Sequence, residues 1–107
     1  MKQILFLLLI LILPNRALAD QIYGSLRLNG TPVQGADIIV VIGNKSYSGK
    51  TDSDGVYKIF IKEIGRTQLT VNYRNKSGRF NVASYNEPVR YDFELAENPS
   101  GYTLIRR

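Results

Sequence analysis

The sequence contains no cysteine, no histidine and no tryptophan. Without cysteine there is no disulfide to support a small core, no thiol nucleophile and no lipid attachment through an N-terminal cysteine. Without histidine there is no Ser-His-Asp triad, and the usual nitrogen and sulfur ligands of zinc are both missing. A carboxylate pair remains formally possible as an acid–base device. Asp52, Asp54, Glu63, Glu87, Asp92 and Glu94 are available. However, Asp92 and Glu94 alternate with apolar residues as the wet face of a strand, Glu87 precedes a proline, and no segment suggests the deep pocket that raises a catalytic carboxyl. The expectation is a non-enzymatic chain without a cofactor.

Long apolar runs are also scarce, and the longest stands at the N-terminus. Lys2 is followed by Ile4 to Leu13, then by Pro14 and Asn15, then by Ala17-Leu18-Ala19. A basic start, an apolar stretch and a small-residue site in that order predict a secretory signal peptide over residues 1–19, cleaved before Asp20. The ten apolar residues cover about half of the roughly 20 that a membrane span needs. Export to the periplasm or the exterior is therefore expected, with no stable membrane span after cleavage. The remaining 88 residues suffice for one small domain, and loss of Lys2 and Arg16 lowers the formal charge of the 107-residue chain from +5 to +3.

From Gln21 onward, short apolar runs are separated by turn residues, and no window sustains a helical period. Ile22, Gly24, Leu26 and Leu28 alternate with polar neighbours up to Asn29-Gly30, a pair suited to a tight hairpin. Ala36 to Ile42 is a nearly unbroken apolar run, which predicts a strand covered on both faces. Lys45 to Thr51 is polar and reads as an edge strand. Asp52-Ser53-Asp54-Gly55 is a turn by its chemistry. In the strand that follows, Tyr57, Ile59 and Ile61 face one way. Leu69, Val71 and Tyr73 alternate next, and a turn over Asn75 to Gly78 leads to Phe80 and Val82. Val89, Tyr91, Phe93 and Leu95 alternate with Arg90, Asp92 and Glu94. Glu97 to Gly101 reads as a linker, so the domain is placed at residues 20–96 and a linker with a short strand or tail at 97–107. Seven or eight strands joined by short turns predict an all-β, antiparallel β-sandwich or small barrel.

Three groups of these residues, in this order, carry a likeness. They are Ile22-Tyr23-Gly24; Asn29-Gly30-Thr31-Pro32-Val33-Gln34-Gly35-Ala36-Asp37-Ile38; and Thr51-Asp52-Ser53-Asp54-Gly55-Val56-Tyr57. The pattern resembles the carboxypeptidase regulatory-like family, whose motif positions here are Gly24, Pro32, Gly35, Ala36, Asp52, Gly55 and Tyr57. The resemblance spans about Gln21 to Leu95. It implies a transthyretin-like (prealbumin-like) Greek-key sandwich, usually a non-catalytic module that works beside other envelope or surface proteins.

The candidate sites are few. Asp52 and Asp54 supply the first half of a calcium loop, but Val56 to Lys62 lacks the downstream carboxylate, so a turn is the preferred reading. Tyr23, Tyr47, Tyr85 and Tyr102 are expected outside the core, and exposed tyrosines stack on sugar rings, which makes Tyr23, Tyr47 and Tyr85 the candidate carbohydrate contacts. The basic residues are scattered, with no run or aromatic interleaving of the kind that nucleic acid requires. Three turn asparagines, Asn29, Asn44 and Asn75, match the glycosylation acceptor pattern. The preferred function is a binding or structural module whose partner is an envelope or extracellular protein, adding along an edge strand such as Lys45 to Thr51 or contacting the loops, with carbohydrate as the alternative ligand.

Overall fold

The computed structural model describes residues 21–107. The expected signal peptide, residues 1–19, lies outside the described residues. The strands are β1 (Gln21–Leu28), β2 (Thr31–Pro32), β3 (Asp37–Ile42), β4 (Lys45–Lys50), β5 (Val56–Phe60), β6 (Gly65–Tyr73), β7 (Lys76–Ser84), β8 (Val89–Arg90), β9 (Phe93–Asn98) and β10 (Gly101–Arg106). They form two sheets. One has the order β4-β3-β6-β7, and the other runs β10-β9-β1-β2, with β5 and β8 pairing the first half of β1.

The core lies between the sheets because the inward positions of both alternate with period two. Ile22 and Leu26 of β1, Tyr57 and Ile59 of β5, Phe93 and Leu95 of β9 and Leu104 of β10 meet Ile38 and Val40 of β3, Leu69 and Val71 of β6 and Val82 of β7. Burying each large side chain of this set contributes about 1.5–3 kcal/mol. Three rings concentrate at one side: Phe80 lies edge-on to Phe93 at 4.9 Å, and Tyr91 stacks on Phe93 at 6.1 Å.

Glycines set how closely the layers meet at their two lateral seams. A Cβ on Gly49 of β4 would lie 2.9 Å from the Lys58 carbonyl oxygen, and one on Gly78 of β7 would lie 2.6 Å from that of Tyr102. At these positions a side chain would hold β5 away from β4 and β10 away from β7. Gly24 plays the same part in the middle of β1, where a Cβ would overlap the carbonyl of Tyr91 as that segment crosses the strand.

Turn chemistry fixes the registers. Asn29 and Gly30 have φ of 54° and 78° and join Leu28 to its partner Thr31, a two-residue hairpin with both central residues left-handed. Gly43 takes φ 60° at the first position of the β3–β4 turn, closing Ile42 onto Lys45.

Several expectations change. β1 pairs parallel with both β8 and β9, so the domain is not wholly antiparallel, and ten strands are present among the described residues. The returning chain crosses over β1 rather than turning back on it. Among the described residues β3 is covered on one face only: Ile38 and Val40 are buried, while Val41 is 50% exposed because no described layer packs outside that sheet. The turn after β6 is Arg74-Asn75, with φ of 51° and 64°, which moves Lys76 to Gly78 into β7. The expected linker at Glu97 to Gly101 belongs to a hairpin instead, and of the short strand or tail expected beyond it the structure has the strand, with Gly101 opposite Asn98 and Arg106 opposite Phe93. Tyr102 and Leu104 are buried against β7, so Tyr102 is not an outside residue.

Candidate functional site

The motif positions converge, and they do so on structure. The Leu26 amide donates to the Gly55 carbonyl at 2.8 Å, and the Val33 amide to the Leu26 carbonyl at 3.0 Å. A Cβ on Gly55 would meet Leu26 O at 2.6 Å and Pro32 at 3.3 Å. Ala36 N–H donates to the buried Thr51 hydroxyl at 2.9 Å, and Gly35 N–H to the Thr51 carbonyl at 3.0 Å. Tyr57, 1% exposed, donates its hydroxyl proton to the Tyr91 carbonyl at 2.7 Å, directly beside Gly24. Burial pushes the Tyr57 hydroxyl far above the ordinary tyrosine range. Together these residues tie β1, β2 and the turn before β5 into one knot.

The candidate calcium ligands serve that turn. Asp52 Oδ1 accepts the N–H groups of Asp54 and Val56, each at 2.9 Å, and the Asp54 carboxylate is exposed. No group of three acidic side chains converges among the described residues. The tyrosine candidates are not brought together. Tyr23 is half-buried on the outer face of β1, Tyr47 lies on β4 of the other sheet, and the 53% exposed Tyr85 follows the end of β7. The Tyr47 hydroxyl donates to Glu63, and that hydrogen bond raises its pKa above the ordinary value of 10.0. The three sequon asparagines are exposed in turns.

β4 is the edge of its sheet. Since a two-residue turn closes Ile42 onto Lys45, the antiparallel alternation points the backbone N–H and C=O of Tyr47 and Gly49 toward β3, and those of Ser46, Ser48 and Lys50 away from it. Among the described residues the β4 backbone pairs with β3 alone. Ser46, Ser48 and Lys50 are exposed, Lys50 forms an ion pair with Asp37 at 2.9 Å, and β4 carries no proline. Among the described residues the strand therefore offers a row of unpaired donors and acceptors, two of them beside small serine side chains.

A second feature was not legible as a site in the sequence. The outer face of β3, β6 and β7 forms an open groove of about 900 Å³ lined by Ile39, Val41, Arg66, Gln68, Thr70 and Arg79, with Asn81 beside Gln68. The Gln68 amide donates to Asn81 Oδ1 at 3.3 Å, and Thr67 donates its hydroxyl to the Val41 carbonyl. No carboxylate lines this groove, and among the described residues neither Arg66 nor Arg79 has an ion-pair partner. In sequence these arginines are two members of a scattered basic set; the β6–β7 hairpin register puts both on one face.

The class that the fold defines is a two-sheet, all-β domain. Comparison with protein-family models finds no match, and comparison with curated proteins finds none. Among the described residues no helix is long and apolar enough to cross a membrane.

Proposed function

We propose that the chain is an exported, non-catalytic β-sandwich of the transthyretin-like kind, a binding or structural module that takes up an extended segment of an envelope or extracellular protein along β4. The observation that carries this reading is the open β4 edge, with the backbone groups of Ser46, Ser48 and Lys50 directed outward and small serine side chains flanking them. Strand addition obtains affinity from main-chain hydrogen bonds, and a proline-free edge with an uninterrupted register suits it. Export rests on the residue order at the N-terminus, and the sandwich type on the motif resemblance. The alternative, carbohydrate stacking on Tyr23, Tyr47 and Tyr85, has less support, because these rings stand on separate parts of the domain.

The test is a photo-reactive residue at position 48 in cells of the native host. A single dominant protein adduct is expected there, absent for the same probe at the exposed Thr103 position on β10, at the far edge of the other sheet. Adding Ser46→Pro removes an outward N–H without breaking the β3–β4 ladder and is expected to abolish the adduct. Equal labelling at both positions, or labelling indifferent to the proline, would contradict strand addition at β4. The mass of the exported protein, expected to lack residues 1–19, tests the leader separately.

A further inference from the structure

We propose that the outer face of β3, β6 and β7 is a binding site for an acidic polysaccharide whose sugars carry carboxylates, held between Arg66 and Arg79. This site is separate from the β4 edge and does not depend on it.

The geometry comes from the β6–β7 register. Arg66 is opposite Ala83 and Arg79 is opposite Thr70, so the two guanidinium-bearing positions are four residues apart along the sheet, about 13 Å at the rise of an extended strand. Between them lie Gln68 and Asn81, directly opposite one another. The order along the groove is thus cation, paired amides, cation. Both arginines are exposed and lack a carboxylate partner among the described residues, and the nearby acidic residue of the same face, Asp37, is engaged by Lys50. An arginine fork matches a carboxylate with two parallel hydrogen bonds.

The rest of the lining distinguishes a sugar chain from other anions. Gln68, Asn81 and Thr70 supply donors and acceptors for hydroxyl groups, while Val41, half-exposed, and Ile39 give a small aliphatic surface for the C–H face of a ring. Two arginine positions set four residues apart along an open face suit acidic groups repeated along a polymer. Tyr91 also lines the groove but is only 7% exposed, so it is not an open stacking platform of the sort that holds single-stranded nucleic acid.

The experiment titrates the purified protein with polygalacturonate, with its methyl-esterified form and with polyglutamate, at two salt concentrations. Polygalacturonate is expected to bind and the ester form not to. Arg66→Gln and Arg79→Gln are each expected to weaken binding about tenfold, the cost of losing a charged hydrogen-bonding partner. Lys58→Gln and Lys62→Gln remove the same charge from other exposed positions and should leave binding unchanged. Far-UV circular dichroism of each variant shows that it is folded. Absence of binding by the folded parent would overturn the proposal, as would retained binding when both arginines are replaced or equal losses in the lysine variants. Polyglutamate binding as tightly as polygalacturonate would also overturn it, since the groove would then recognise charge without sugar.

Discussion

Replacing Tyr57 by phenylalanine removes one oxygen from the core and leaves the ring in place. That oxygen donates at 2.7 Å to the Tyr91 carbonyl, in a site where Tyr57 is 1% and Tyr91 7% exposed. The Tyr91 carbonyl has no other backbone donor among the described residues, and the Tyr91 amide is already committed to Tyr23 O at 2.8 Å. An unsatisfied buried acceptor costs about 1–3 kcal/mol. Small domains sit toward the low end of the roughly 5–15 kcal/mol range of native stability, so this loss is a large share of the total. With a urea slope near 1 kcal/mol per molar, the midpoint should fall by about 1–3 M. Equilibrium urea unfolding followed by circular dichroism measures this, and an unchanged slope would show that the unfolded state is not responsible. A shift below about 0.3 M at constant slope would refute the argument, since the carbonyl would then have found water or another donor. The same burial keeps the Tyr57 hydroxyl protonated well above the ordinary tyrosine range, so the ultraviolet signal that appears only as the protein unfolds in base should be smaller in Tyr57→Phe than in the parent.

Gly24→Ala places a methyl group against the Tyr91 carbonyl and should cost at least about 2 kcal/mol, measured in the same way. Thr51→Val removes the acceptor of the buried Ala36 N–H and should cost about 1–3 kcal/mol, with little effect on the β4 edge. The Lys76 ammonium donates to Glu97 at 2.9 Å, lowering the Glu97 carboxyl from its ordinary 4.5 and raising Lys76 from 10.5. The Glu97 contribution is therefore present above its ordinary range and lost as the pH falls through the lowered folded value. The Lys76 contribution is present below its ordinary value and lost as the pH rises through the raised one. Stability measured against pH should lose both limbs' share in Glu97→Gln, while identical curves for parent and variant would show that the pair contributes nothing.

Period-two alternation in β1, β5 and β6 was legible because one face of each strand is dry and the other wet. Asn29-Gly30 was legible because its chemistry is local. The β3 run misled, since Ile39 and Val41 are apolar yet face outward over the groove. The hairpin of β9 and β10 was hidden by Pro99, Ser100 and Gly101, which read as a linker until Tyr102 and Leu104 are seen packed on β7. The parallel approach of β8 and β9 to β1 is a long-range choice without a local signal. Of the sites, the β4 edge was written in its lysines and serines. Alternation puts Arg66 and Arg79 on one face in either register, but a turn over Asn75 to Gly78 would set Arg79 opposite Arg74, whereas the Arg74-Asn75 turn sets it opposite Thr70, four residues from Arg66.

The most direct measurement of the central claim is residue-resolved amide hydrogen exchange across β4, in the free protein and in the complex with the protein captured at position 48. In the free protein, Tyr47 and Gly49 should be protected by their bonds to β3, while Ser46, Ser48 and Lys50 exchange rapidly. In the complex, the three fast amides should become protected and the other two should stay so. Fast exchange at Ser46 and Ser48 that the partner leaves unchanged would contradict strand addition at this edge.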